Sequence, residues 1–298
     1  MNTRETILQR YENGVQDFSG KNLQGIELER SMLVGICLAG ANLMGANLSR
    51  AFLLRANLQD AFLNWADLRF IKLSEGNLAE ADLTKADLSG GFLVKASLDR
   101  AKLSGARLHH TNLRQASLRR ANLCGANLQG VNLRGANLQG ANLNWANLSG
   151  ARLSGAQLEG AFLNGVNLNG AFLNGVDLSN VDLHGVDLTG ARLSGACLQD
   201  ADLQNSSLRS AQLRGSNLAG ADLQGADCSE AKLAKADLKW SNLQRTNFSR
   251  ADLRDVNFLG ARVDQAVFQG AHVSAGAHQY LQLLDPAQAT RAALNSSQ

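Results

Sequence analysis

A large apolar residue recurs at every fifth position of this chain, in one register, from Phe18 to Val273. Of these 52 central positions, Leu fills 45, and the others are Phe18, Cys228, Phe248, Phe258, Val263, Phe268 and Val273. Two residues earlier stands a small one, Ala in 33 cases. A helical period of 3.6 would scatter these leucines around a cylinder, and a strand period of two would throw them onto alternate faces. A chain that turns a corner after every five residues keeps them all inside. Four corners then close a coil of twenty residues, and coils stack at strand spacing. Large Leu beside small Ala lets facing walls interdigitate. No coil buries its inner face alone, so stability accumulates by stacking.

Glycine marks the corners. Of 29 Gly, 25 stand two residues after the central position, where a type II turn requires positive φ. Asn and Asp crowd the position just before the central residue, where their side chains can bond the local backbone. From Arg50 to Arg120 the corners are mostly bulky, with Gly only at 90 and 105. Bulky residues disfavour positive φ, so a different turn type is expected along that stretch.

The repeated A-(N/D)-L-x-G resembles the pentapeptide-repeat family, over residues 16–275. The resemblance implies an all-β solenoid, a right-handed quadrilateral β-helix. Its repeats make about 13 coils, a rod of roughly 60 Å at strand spacing. Three segments are expected: a capping helix at 1–15, the repeat body at 16–275, and a helical cap and tail at 276–298. In the first, Asn2 and Glu5 have the spacing of an N-cap and its third helical residue, and Gly14 can end the helix. In the last, Tyr280, Leu281 and Leu284 share a helix that either covers the core or forms a homodimer contact. Simple coverage, and hence a monomer, is favoured.

The composition argues against catalysis, and no cofactor or metal is expected. The five His include one close pair, His109 and His110, which lacks the spacing of metal ligands. No C-x-x-C occurs among the four Cys. No apolar stretch approaches membrane-spanning length and no signal sequence opens the chain, so a cytoplasmic protein with no membrane partner is expected.

Function must then lie in outward residues. The Arg50–Arg120 stretch carries Phe62 and Trp65 on one pentapeptide, the best candidate contact, with Phe52 and Phe92 sharing another face. Arg107, Arg114, Arg119 and Arg120 add positive charge. Residues 93–134 hold eight bases against Asp99, spread over all four faces as a girdle. A girdle suits an acidic patch on a protein partner better than it suits a nucleic-acid track, which would want a stripe. The resemblance also brings in DNA gyrase, which some family members engage as acidic DNA mimics. With 26 acids against 29 bases this chain has the wrong sign for that role, so gyrase and nucleic acid stand behind an unidentified protein partner. The uninterrupted body is most similar to cyanobacterial members, of which one regulates by binding a transcription factor. The expected function is therefore a non-catalytic protein–protein interaction rod, a regulator or scaffold using the aromatic and basic belt of its N-terminal half.

Overall fold

The computed structural model describes residues 3–274; Tyr280, Leu281 and Leu284 lie outside them. The chain falls into two compact units, Met1–Phe162 and Leu163–Gln298. In each, the residue before the central position pairs in parallel with its equivalent twenty residues on. The ladders run from Asp17↔Cys37 to Asn142↔Phe162 in the first unit. In the second they run from Asn167↔Asp187 to Asn247↔Val267, and end in two short parallel strands, β1 (Asp252–Leu253) and β2 (His272–Val273). Twenty residues per coil and a turn every five give four walls. Here they are numbered by the first central residue of each: Phe18, Leu23, Leu28 and Leu33.

One pentapeptide shows how the backbone is satisfied. The Asn57 N–H donates to Ile36 O (2.9 Å), the Leu58 N–H to Asn77 O (2.7 Å) and the Asp60 N–H to Ala79 O (3.0 Å). The Ala61 N–H closes the turn on Leu58 O (3.1 Å). That leaves the Gln59 N–H, which donates to the Asn57 side chain at 3.2 Å. Every N–H of the five has found an acceptor, as buried or half-buried backbone must. Asn and Asp are therefore frequent before the central residue because they supply the one acceptor that the coil lacks. A side chain without that acceptor leaves the N–H to solvent, at a cost of about 0.5–1.5 kcal/mol.

The central residues and their small neighbours form the core: nearly all the leucines are fully buried, and so are the alanines packed between them. Removing one such Leu side chain costs about 2–5 kcal/mol. Most buried hydroxyls at small positions return their hydrogen bond to the coil, as Thr111 does to Leu88 O at 2.9 Å, whereas Ser31 Oγ has no partner among the described residues. Late in the second unit aromatic rings take over the filling, with Phe248 stacked on Phe268 at 5.4 Å between centroids.

The corners depart from expectation. Bulky corner residues adopt the same positive φ as glycine: Arg50 58°, Trp65 56°, Phe70 57° and Arg120 55°, against 64° at Gly125. There is no change of turn type from Arg50 to Arg120. The reason is the ladder. The Arg50 N–H donates to Arg69 O (2.8 Å) and the Ala51 N–H to Leu48 O (3.0 Å), so the corner's conformation is set from both sides. A non-glycine corner bears a cost of about 1–2 kcal/mol for this. It also projects its side chain over the next coil. A Cβ built on Gly90 would lie 2.6 Å from the Phe70 ring, twenty residues earlier, whereas one on Gly125 would meet nothing within 4 Å.

Helix α1 (Arg4–Glu12) precedes the first coil. Its N-cap is Thr3, whose hydroxyl accepts from the Thr6 N–H at 3.3 Å; Asn2 lies outside the described residues. Gly14, at φ 88°, lets the chain leave the helix. Ile7 is fully buried, the Arg10 guanidinium lies 5.3 Å over the Phe18 ring, and the Tyr11 hydroxyl donates to Val34 O at 2.8 Å.

The corner geometry leads to a direct comparison. Gly90→Ala and Gly125→Ala carry the same left-handed penalty, but only the first meets a ring. Gly90→Ala is expected to lower stability by about 1–2 kcal/mol more than Gly125→Ala, read as the difference in denaturant midpoints.

Candidate functional site

The twenty-residue register sorts the outward side chains by wall, and the belt expected from the sequence separates. In the first unit, Phe62 and Trp65 lie on the second wall, 50% and 58% exposed. Phe52 and Phe92 lie on the fourth wall, which is opposite. Arg107 is on the third wall, Arg119 and Arg120 on the first, and Arg114 on the fourth with the two phenylalanines. The eight residues do not form one patch.

Ion pairing divides the arginines further. Arg119 is bidentate on Asp99, Nη2 to Oδ2 at 2.6 Å, and Arg107 approaches Asp87 at 3.9 Å. Burial would raise the Asp99 carboxyl, but hydrogen bonds from Arg119 and Ser117 outweigh it and hold it below the usual carboxylate value. Arg69 and Asp67 repeat the arrangement on the third wall at 2.6 Å. Arg119 and Arg120 border an open cleft of about 720 Å³ on the first wall, with Arg100 held by Glu80 at 3.2 Å and Gln139 by Glu159 at 3.0 Å. Its charges are largely compensated. By contrast, among the described residues no carboxylate lies within ion-pair distance of Lys95, Arg114 or Arg134, all exposed and all on the fourth wall. The girdle therefore resolves into arginines paired on the first and third walls, Lys102 next to Asp82 on the second, and three uncompensated cations gathered on the fourth.

A serine, a histidine and an aspartate do meet on the third wall. Ser89 Oγ lies 2.9 Å from His109 Nδ1 and also bonds Asp87. Their register, twenty residues apart, hid this from a reading of neighbours in sequence. Both partners converge on the hydroxyl, so the carboxylate does not orient the imidazole as a proton relay requires. Among the described residues no group of His, Cys, Asp and Glu is arranged to hold a metal ion, and no helix is long and apolar enough to cross a membrane. Cys228 packs in the core, where burial pushes its thiol well above the ordinary value.

Sorting by wall also brings out residues that the sequence reading passed over. Met32 (68% exposed), Val34 and Leu54 lie on the fourth wall beside Phe52, and Met32 pairs directly with Phe52 in the ladder. Trp145 (71% exposed) and Phe162, by contrast, already recur on the Trp65 face in the register of the sequence, and they are exposed on the second wall. The missed signal was the position before the central residue. In the first unit Asn or Asp fills 14 of 23 such positions on the first three walls, and only 2 of 7 on the fourth. The fourth wall has given up the local hydrogen bond that the others use. Met32→Asn restores an acceptor for the Val34 N–H, and is expected to raise stability by about 0.5–1.5 kcal/mol in a denaturant melt. An unchanged or lower midpoint would show that Met32 is there for the coil's own sake.

With this geometry in hand, comparisons place the chain among known proteins. The family profile described as pentapeptide repeats matches in overlapping stretches that together run from residue 17 to residue 270. The crystal structure of HetL, a pentapeptide repeat protein involved in heterocyst differentiation regulation from the cyanobacterium Nostoc sp. strain PCC 7120, is 30% identical. The alignment covers 91% of this chain and 97% of HetL, with a TM-score of 0.25. A pentapeptide repeat protein of the Arabidopsis thaliana thylakoid lumen is also 30% identical, over 39% of this chain and 77% of its own, with a TM-score of 0.29. QnrB1, a plasmid-mediated fluoroquinolone resistance protein, is 16% identical over 90% of this chain and 98% of its own, with a TM-score of 0.26. No curated protein matches the chain.

Proposed function

The chain belongs to the pentapeptide-repeat family, whose fold is a right-handed quadrilateral β-helix, and from that premise we propose that it is a non-catalytic protein-binding solenoid, a regulator or scaffold. Its partner docks on the second wall of the first unit. The observation that carries this reading is the pair Phe62 and Trp65, both about half exposed on one pentapeptide of a wall with no loop to shelter them. Trp and other large aromatics at the centre of an interface contribute most of its binding energy. Lys85 and Lys102 stand on the same wall with Asp82 as its one acid in this unit, which suits an acidic patch on the partner. Trp145 and Phe162 supply a second anchor, four coils beyond Trp65 and five beyond Phe62, about 19–24 Å away at strand spacing. An elongated partner surface can engage both.

The wall is suited to binding because the coil is indifferent to it. Trp65 takes its left-handed conformation as its neighbours do, and its N–H keeps the ladder bond to Thr84 O at 3.1 Å. Replacing the side chain therefore alters the surface and leaves the coil alone. HetL, similar to this chain along most of its length, is itself a protein of regulation, which supports the same class of role.

Affinity capture from the source organism's lysate tests the site. Wild type is expected to recover a protein that the Phe62→Ser/Trp65→Ser variant recovers at least about tenfold less, the loss typical of removing interface anchors. Equal recovery by both, with unchanged melting, would rule the second wall out.

A further inference from the structure

The fourth wall of the first unit differs from its neighbours in two independent respects. The first is charge. Six bases stand on it, Arg55, Lys72, Lys95, Arg114, Arg134 and Arg152, against Glu75 alone. The other three walls of that unit together carry ten bases and ten acids, so the whole surplus of the coil is on this side. The second is the abandoned hydrogen bond. Of the seven positions before the central residue on this wall only Asn112 and Asn132 keep the local acceptor, and the others hold Met, Phe, Lys or Arg. None of those choices restores the local backbone bond, although the Lys72 ammonium packs on the Phe92 ring. Met32, Val34, Phe52 and Leu54 cluster exposed in its first two coils, with Phe92 beyond.

The arrangement of the cations says what they face. They occur one per coil over six successive coils, and are spread over all three outward rows: Lys72 and Arg152 before the central residue, Arg114 and Arg134 after it, Arg55 and Lys95 at the corner. At about 4.8 Å per coil this is a two-dimensional array rather than a line. A duplex, being a cylinder, would reach one row at a time. A single strand would need open aromatic faces for stacking. The Phe92 ring is covered by the Lys72 ammonium at 3.3 Å, and the other apolar side chains of the cluster are mainly aliphatic.

We infer that the fourth wall of the first unit docks on an anionic lipid surface. Met32, Val34, Phe52 and Leu54 enter the boundary between headgroups and acyl chains, as the apolar face of an interfacial element does. Lys95, Arg114 and Arg134, uncompensated within the protein, meet the phosphates and carboxylates of the headgroups. Lys72 lies with its ammonium against the Phe92 ring and can swing it toward the headgroups as the ring inserts, in the manner of a snorkelling side chain. No insertion interrupts the wall, so all its rows reach a plane together. The second wall remains on the opposite side, turned away from the lipid, and the inference does not depend on the protein partner proposed for it.

Co-sedimentation of the full chain with vesicles tests this. Phosphatidylcholine vesicles with about one-third phosphatidylserine are expected to bind it, and pure phosphatidylcholine vesicles to bind it at least tenfold less. Arg114→Ser/Arg134→Ser is expected to lower the partition coefficient about 25-fold, since each cation near such a surface contributes about fivefold. Met32→Ser/Leu54→Ser should weaken it too, while Arg69→Ser, which removes a cation paired with Asp67 on another wall, should not. Equal binding to both kinds of vesicle, or a double arginine variant that binds as wild type does, overturns the inference. So does an absence of vesicle binding, in which case arginine-dependent retention on single-stranded oligothymidylate would assign the wall to nucleic acid and retention on polyglutamate to an acidic protein.

Discussion

Everything in this structure depends on the parallel hydrogen-bond ladder between residues twenty apart. It fixes the coil at four pentapeptides, aims the central Leu and the small residue inward, and dictates the backbone of every corner. The hydrophobic core supplies most of the free energy, as in any fold, but it does not by itself choose the register. The ladder does, because a slip of one residue would turn each Leu out to water. Once the register is set, three of every five side chains are free of structural duty, apart from the single acceptor that Asn or Asp provides.

That division of labour explains how the protein can carry different surfaces on one frame. A wall is a column of equivalent positions, and substituting along a column changes its chemistry without touching the core. The third wall of the first unit balances four bases with four acids and the first carries a small acidic excess, with pairs such as Arg69–Asp67 and Arg119–Asp99 holding their arginines. The second wall presents aromatic side chains, and the fourth presents aliphatic and basic ones. Phe70 at its corner and Trp65 at another accept a left-handed backbone, the conformation that glycine would take more cheaply. Where a repeat protein accepts local strain or forgoes a hydrogen bond, the side chain gained in exchange points to function.

The sequence made the frame legible almost to the residue. The five-residue period of Leu and Ala, and glycine two places after it, foretold the core and the corners. It misled at Arg50–Arg120, where intrinsic conformational preference argued for another turn and the ladder overrode it. The aromatic and basic belt was legible as a collection but not as an arrangement. Phe52 and Phe62 stand ten residues apart and face opposite ways, while Met32 and Phe52, twenty apart, are neighbours. The girdle of bases looked uniform because counting along the chain ignores pairing across coils, and Asp87 and Asp99 neutralise partners that lie a full coil away. Ser89 and His109 escaped notice for the same reason.

The register itself is open to direct measurement in solution. In a background with the four native cysteines replaced, nitroxide labels at Arg114→Cys and Arg134→Cys would sit on adjacent coils of one wall, and labels at Arg114→Cys and position 124 on opposite walls. The account predicts strong dipolar broadening for the first pair, with backbones about 5 Å apart, and little for the second. Broadening that is equal for both pairs, or stronger for the pair ten residues apart, would contradict the twenty-residue coil on which every assignment of a wall depends.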